Sequence, residues 1–227
     1  MPVYQLNNTI VFPDPNFAES DGLLAIGGDL SSQRIIEAYT LGIFPWYSQG
    51  EPILWWSPNP RMVLFPKKFT RHKNLAKTVK SNKFQLSFDS KFEQVIELCG
   101  SVPRLGQFGE TWITDEMKSA YIKLHKMGVA HSVEVSFKNV LVGGLYGLSI
   151  GKCFFGESMF HTVTDASKVA LWYLVDRMLL WDFDMIDVQQ ETDHLKSLGA
   201  IGVNRKEFLH LLADSVSKES KIGNWNS

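Results

Sequence analysis

Apolar positions in this chain follow two rhythms, and each change of rhythm marks a predicted element. Spacings of three and four run through LSSQRIIEAYTLG: Ser31 or Ser32 caps a helix, Ile35, Ile36 and Tyr39 form its inner face, and Gly42 ends it. A second helix is expected after Thr70 as cap, with Leu75 and Val79 four apart. In SKFEQVIELCG, Ser90 and Glu93 have capping-box spacing, while Phe92, Val95, Ile96 and Cys99 face inward. TDEMKSAYIKLHKMG predicts a helix from Thr114 to a stop at Gly128 that buries Met117, Tyr121 and Leu124. Alternation of period two predicts strands at FQLSFD, HSVEVSF and VLVGGLYGLSI, the last two joined through Lys138-Asn139 as an antiparallel hairpin. KCFFGES follows as a further strand, a long apolar helix runs from Asp165 to about Leu180, and MIDVQ is the strand beyond it. The tail predicts a short helix at HLKSLG, a strand at IGVNR, a helix at KEFLHLLADSV and frayed last residues.

Turn formers and aromatics dominate the chain before this regular part. We therefore expect a small aromatic-rich subdomain at residues 1–62 and a larger domain at 63–227. Trp55 and Trp56 are expected to clamp the two together, whereas Trp46, after Pro45 and before a polar turn, suits a ring with one open face. A Gly/Pro-rich loop, SVPRLGQFGETWI, carries Arg104 and Trp112 and is expected near a site.

The formal charge of −1 means that any polyanion must be met by local clustering. KKFTRHKNLAKTVKSNK supplies it, with no acidic residue between Lys67 and Lys83, so Arg71, Lys73, Lys77 and Lys80 are candidate phosphate contacts. Cys99 and Cys153 give neither a disulfide framework nor metal spacing, which points to a reducing compartment. No signal-peptide pattern and no run of membrane-spanning length is present, so a cytoplasmic location without membrane contact is expected. His125, His131, His161, His194 and His210 lack ligand spacing and are expected to be structural or surface residues; no metal is implied. No nucleophile elbow of the GxSxG type occurs, so covalent catalysis has no support.

Candidate chemistry gathers late in the chain. Asp187 and Gln189 occupy alternate positions of MIDVQ and are expected to project together from one face. Glu157, in GESMF, stands among aromatic and sulfur-bearing neighbours, where an ionised group is costly without a partner or a task.

The order of elements after residue 80 is that of a Gcn5-related N-acyltransferase domain: mixed α/β (α+β), with a largely antiparallel sheet flanked by helices. The blocks themselves are more specific. DGLLAIGGDL, GIFPWYS, ILWWSPNPR, ETWIT, HSVEV, LVGGLYG, FFGESMF, DASK, IDVQ and LKSLGA occur in this order and span nearly the whole chain. In them the chain resembles the leucyl/phenylalanyl-tRNA–protein transferases. That resemblance implies a cofactor-free enzyme, expected to be a monomer. It would take leucine or phenylalanine, less often methionine, from aminoacyl-tRNA to the N-terminal Arg or Lys of a protein, creating a degradation signal. It further implies that Trp46 and Trp112 hold the terminal adenosine and that Leu145, Phe154, Leu174, Met178 and Ile186 form the amino-acid pocket. Leu145 and Met178 differ in type from the Met and Phe expected there. Asp187 and Gln189 fall on the catalytic positions with Glu157 close by, Gln189 meeting the amine while Asp187 polarises it and helps remove the proton. Two other readings share part of the pattern. A CoA-dependent N-acyltransferase would need a glycine-rich turn before its long helix, where HTVTDASK has none; a non-catalytic RNA-binding module leaves Glu157, Asp187 and Gln189 unexplained.

Overall fold

The computed structural model describes residues 3–102 and 112–226, so Arg104 lies outside the described residues. Two sheets organise them. The smaller has strand order β1-β2-β4-β3, from β1 (Tyr4–Leu6), β2 (Leu23–Gly27), β3 (Phe44–Pro45) and β4 (Leu54–Trp56), with α1 (Ser32–Thr40) between β2 and β3 in sequence. Helix α1 is capped by Ser31, whose hydroxyl accepts from the Arg34 N–H.

The larger sheet draws on β5 (Arg61–Leu64), β6 (Gln85–Phe88), β7 (Ala130–Phe137), β8 (Val140–Ile150), β9 (Cys153–His161), β10 (Met185–Gln189) and β11 (Ile201–Val203). Its order is β11-β5-β10-β9-β8-β7-β6, mixed α/β as expected, with every pairing antiparallel except β9 with β10. Helix α5 (Ala166–Leu180) packs on β7, β8 and β9 and shares an apolar cluster with Leu75 of α2 (Lys73–Lys80). Helices α3 (Phe92–Ser101) and α4 (Asp115–Lys126) belong to the other cluster, together with Tyr39 of α1, Trp55 of β4 and Phe208 of α7 (Arg205–Val216). A short α6 (Asp193–Ser197) links β10 to β11.

Three local expectations are corrected. Helix α2 begins after His72 without a side-chain cap, because the Thr70 N–H donates to the Leu198 carbonyl and holds Thr70 outside the helix. The cap position of α3 is Lys91, also without a side-chain bond, since the Ser90 hydroxyl donates instead to the Phe88 carbonyl. Trp225, near the end expected to fray, is only 3% exposed, held by apolar contacts and a hydrogen bond from its backbone N–H to Asp89.

The parallel pair β9–β10 creates the opening that matters. The two strands are in register only at Met185↔Cys153, Ile186↔Phe154 and Asp187↔Phe155. Beyond Phe155, β9 stays paired with β8 as far as His161, while β10 bulges between Asp187 and Gln189 and parts from it. Gly147 makes the β8 side of this bend possible, since a Cβ there would lie 2.1 Å from the Phe155 carbonyl oxygen.

Candidate active site

A cavity of about 720 Å³ fills the wedge between the diverging strands. Leu145, Phe154, Leu171, Leu174 and Ile186 give it apolar walls, and Glu157, Gln189, Gln190, Thr192 and His194 give it polar ones. Trp46 and Trp112 also line it. Trp46 keeps an open face and is held edge-on by Trp56, whose indole N–H donates to the Trp46 carbonyl at 2.7 Å. Met178 is fully buried on α5, four residues beyond Leu174, and does not line the cavity. Of the residues that the resemblance implies for an amino-acid pocket, Leu145, Phe154, Leu174 and Ile186 line this cavity and Met178 does not.

The three candidate catalytic side chains are connected differently from expectation. Asp187 and Gln189 do not meet side chain to side chain. Asp187 is sealed from solvent and grips Arg61 of β5 through two hydrogen bonds, Nε to Oδ1 at 2.9 Å and Nη2 to Oδ2 at 2.7 Å. Its Oδ1 also accepts the backbone N–H of Gln189 at 3.0 Å. Gln189 has a φ of +61°, a left-handed conformation that costs a non-glycine residue about 1–2 kcal/mol and that the bulge and this hydrogen bond together impose. The consequence is directional: the Gln189 side-chain amide turns into the cavity and donates to Oε1 of Glu157 at 2.8 Å.

Glu157 is the titratable centre of the wedge. Tyr121 of α4 donates to its Oε2 at 3.0 Å, and the hydroxyls of Tyr121 and Tyr39 lie 2.5 Å apart. Part of Glu157 faces the cavity, yet burial pushes its pKa up to about 7. The tyrosine hydroxyls and the Gln189 amide oppose that rise by stabilising the carboxylate, and the Asp187 charge adds to it. Burial, then the nearby Glu157 charge, holds both tyrosines well above the ordinary phenol range, so each stays a donor.

Several of these partners were not found from the sequence. Arg61 closes a tryptophan-rich block, and Tyr39 and Tyr121 occupy ordinary inward helix positions, so nothing in the local sequence marks them as partners of Asp187 and Glu157. His161 and His194, expected to be structural or surface residues, both line the cavity. Burial and the nearby Lys168 push the His194 pKa down, which favours a neutral ring. Among the described residues no group of three or more His, Cys, Asp or Glu is placed to hold a metal, and no helix is long and apolar enough to cross a membrane.

Comparison with known proteins decides the family. Residues 63–213 match the model of the leucyl/phenylalanyl-tRNA protein transferase, and residues 28–59 match that of its N-terminal domain. The chain belongs to the leucyl/phenylalanyl-tRNA–protein transferase family. A member from Legionella pneumophila (strain Corby) is 52% identical over 98% of this chain and 98% of its own. Another, from Thermodesulfovibrio yellowstonii, is 50% identical over 100% of this chain and 92% of its own. Membership makes the protein an aminoacyltransferase. Among solved structures, a GCN5-related N-acetyltransferase from Kribbella flavida overlaps loosely: 8% identity, a TM-score of 0.39, and 77% and 61% of the two chains covered. That overlap is too slight to bear on chemistry.

The basic segment is divided by the fold. Lys73, Lys77 and Lys80 are exposed and enter no ion pair among the described residues. Arg71 instead pairs with Asp176 at 2.6 Å, its guanidinium over the rings of Trp172 and Phe69. A shallow hollow beside Lys77 and Lys83 shares Thr164 and Asp165 with the main cavity, so the lysine face of α2 adjoins the wedge.

Proposed function

We propose that the protein transfers leucine or phenylalanine, and less readily methionine, from aminoacyl-tRNA to proteins beginning with Arg or Lys. The reaction takes place in the cytoplasm, and the added residue marks the product for degradation. The terminal adenosine stacks between Trp46 and Trp112, the aminoacyl side chain enters the apolar walls, and the tRNA backbone follows the lysines of α2 toward the wedge.

The single observation that carries this reading is Glu157, a carboxylate with a pKa near 7, hydrogen-bonded to Gln189 at the open end of an apolar cavity. An aminoacyl ester is already activated, and holding it against an amine in attack geometry supplies about 7–11 kcal/mol without a covalent intermediate. The α-amine nitrogen attacks the ester carbonyl carbon, oriented by the Gln189 amide group. Glu157 accepts the proton that the amine loses and returns it to the ribose oxygen as the ester C–O bond breaks. Both Asp187 oxygens are already engaged, so Asp187 acts by fixing Gln189 rather than by taking the proton.

The CoA-dependent reading finds no support before α5: the residue at its cap position is Asp165, not glycine, with its carboxylate beside Lys168. Incubation with radiolabelled leucyl-tRNA and a peptide beginning with Arg should give labelled peptide, and acetyl-CoA should give none. Absence of labelled product, or acetylation of the peptide, would overturn the proposal.

A further inference from the structure

The segment that follows α7 is stitched across the large domain. The Gly151 N–H donates to the Ser220 hydroxyl at 2.8 Å, and the Gly223 N–H donates to the Gly128 carbonyl at 3.1 Å. It ends on Trp225, whose backbone N–H donates to Asp89 Oδ2 at 2.8 Å and whose indole N–H donates to the Lys221 carbonyl. The indole lies flat on His131, with ring centroids 3.6 Å apart and planes 8° from parallel. His131 is fixed in turn by Asp89 at 2.8 Å. A large ring is therefore held firmly on both its polar and its flat faces.

What this ring supports is the wall of the cavity. Trp225 packs against Phe154, with centroids 6.0 Å apart, and does not itself line the cavity. Phe154 has no solvent exposure, is in register with Ile186 on the neighbouring strand, and lines the cavity together with it. Close packing leaves Phe154 no room to retreat while Trp225 is in place.

We infer that Trp225 is a specificity-determining residue of the amino-acid pocket, setting its depth by bracing Phe154 from behind. This rests on the proposed transfer of leucine and phenylalanine. Removing the indole frees space for the Phe154 ring to move outward, deepening the pocket and favouring the larger substrate side chain.

The test is the ratio of kcat/KM for phenylalanyl-tRNA to that for leucyl-tRNA, with one Arg-initiated peptide as acceptor. Trp225→Ala should raise the ratio about tenfold, the lower end of what a single methylene is worth in an apolar pocket. Trp225→Phe, which keeps an aromatic ring, should return most of the way to the wild-type ratio. The ratio does not depend on the fraction of enzyme that is folded, so a destabilised variant still reports. An unchanged ratio in Trp225→Ala, with both substrates falling in parallel, would leave Trp225 a purely structural residue and overturn the inference. Failure of the wild-type enzyme to transfer either amino acid would instead overturn the proposed function.

Discussion

Arg61 and Asp187 face each other through two hydrogen bonds of 2.9 and 2.7 Å, and neither side chain is reached by solvent. The guanidinium lies over Phe44 at 4.7 Å and Phe208 at 4.8 Å, so the pair joins the small sheet, the large sheet and α7. Removing one member leaves an uncompensated buried charge, which typically costs about 3–5 kcal/mol. Asp187→Ala should lose stability on that scale by urea denaturation. It should also lower kcat by about 100-fold, the cost of a misplacement of about 1 Å, because Gln189 loses the acceptor that fixes its backbone. The double variant Arg61→Met with Asp187→Leu should regain most of the stability and little of the kcat. Recovery of both together would show that the pair does not position Gln189.

Glu157 predicts an inverse dependence of stability on pH. Its carboxyl keeps its proton up to about pH 7 in the folded chain, against an unperturbed value of 4.5. Between those values folding takes up a proton, so stability falls as the pH rises through the window and the loss is complete above pH 7. The full effect is on the order of 3 kcal/mol. Denaturant unfolding at pH 5 and pH 8 should show this loss in the wild type and a smaller one in Glu157→Gln. Equal losses in the two proteins would remove Glu157 as the cause.

Tyr121 bears on the same titration from the other side. It donates to Glu157 and so stabilises the ionised form. Tyr121→Phe should move the acid limb of kcat/KM to higher pH. A hydrogen bond to a charged group is worth about 1.5–3 kcal/mol, so a shift of about one unit or more is expected. Tyr39→Phe should move the limb in the same direction, because the Tyr39 hydroxyl also stabilises the Glu157 carboxylate and bonds to Tyr121. A limb that stays in place in Tyr121→Phe would assign the titration to the acceptor amine alone.

The elements of the large sheet and its helices were legible because periodicity reports which face is buried. The strands from Ala130 to His161, helix α5 and β10 all stand where alternation or helical spacing placed them. The small sheet was missed because β2, β3 and β4 are two to five residues long, too short to show a period among glycines and tryptophans. The helix caps at Thr70 and Ser90 failed because both residues are engaged elsewhere: the Thr70 N–H donates to the distant Leu198 carbonyl, while the Ser90 N–H donates to Glu134 and its hydroxyl to the Phe88 carbonyl two residues back. Asp187, Gln189 and Glu157 could be picked out as polar residues in apolar surroundings. Their connections could not, because a single bulge turns the Gln189 amide toward Glu157 and leaves Asp187 to Arg61, 126 residues away in the chain. Pairing over that separation leaves no trace in local sequence.

The division of the basic segment gives the remaining prediction. Lys73, Lys77 and Lys80 are exposed, whereas Arg71 is paired with Asp176 and stacked on Trp172. Arg71 therefore has less to gain from a phosphate, since a new contact must compete with one already made. Each lost phosphate contact should reduce the slope of log K against log salt by roughly 0.7–0.9. Changing the three lysines to Ala should flatten the slope by about 2–3 in tRNA binding followed by fluorescence anisotropy. Arg71→Ala should change the slope little and instead weaken the packing of α2 against α5, seen as a lower Tm. A full unit of slope lost in Arg71→Ala would mean that the Asp176 pair opens to admit the tRNA. An unchanged slope in the triple variant would leave α2 a solvated face with no part in tRNA binding.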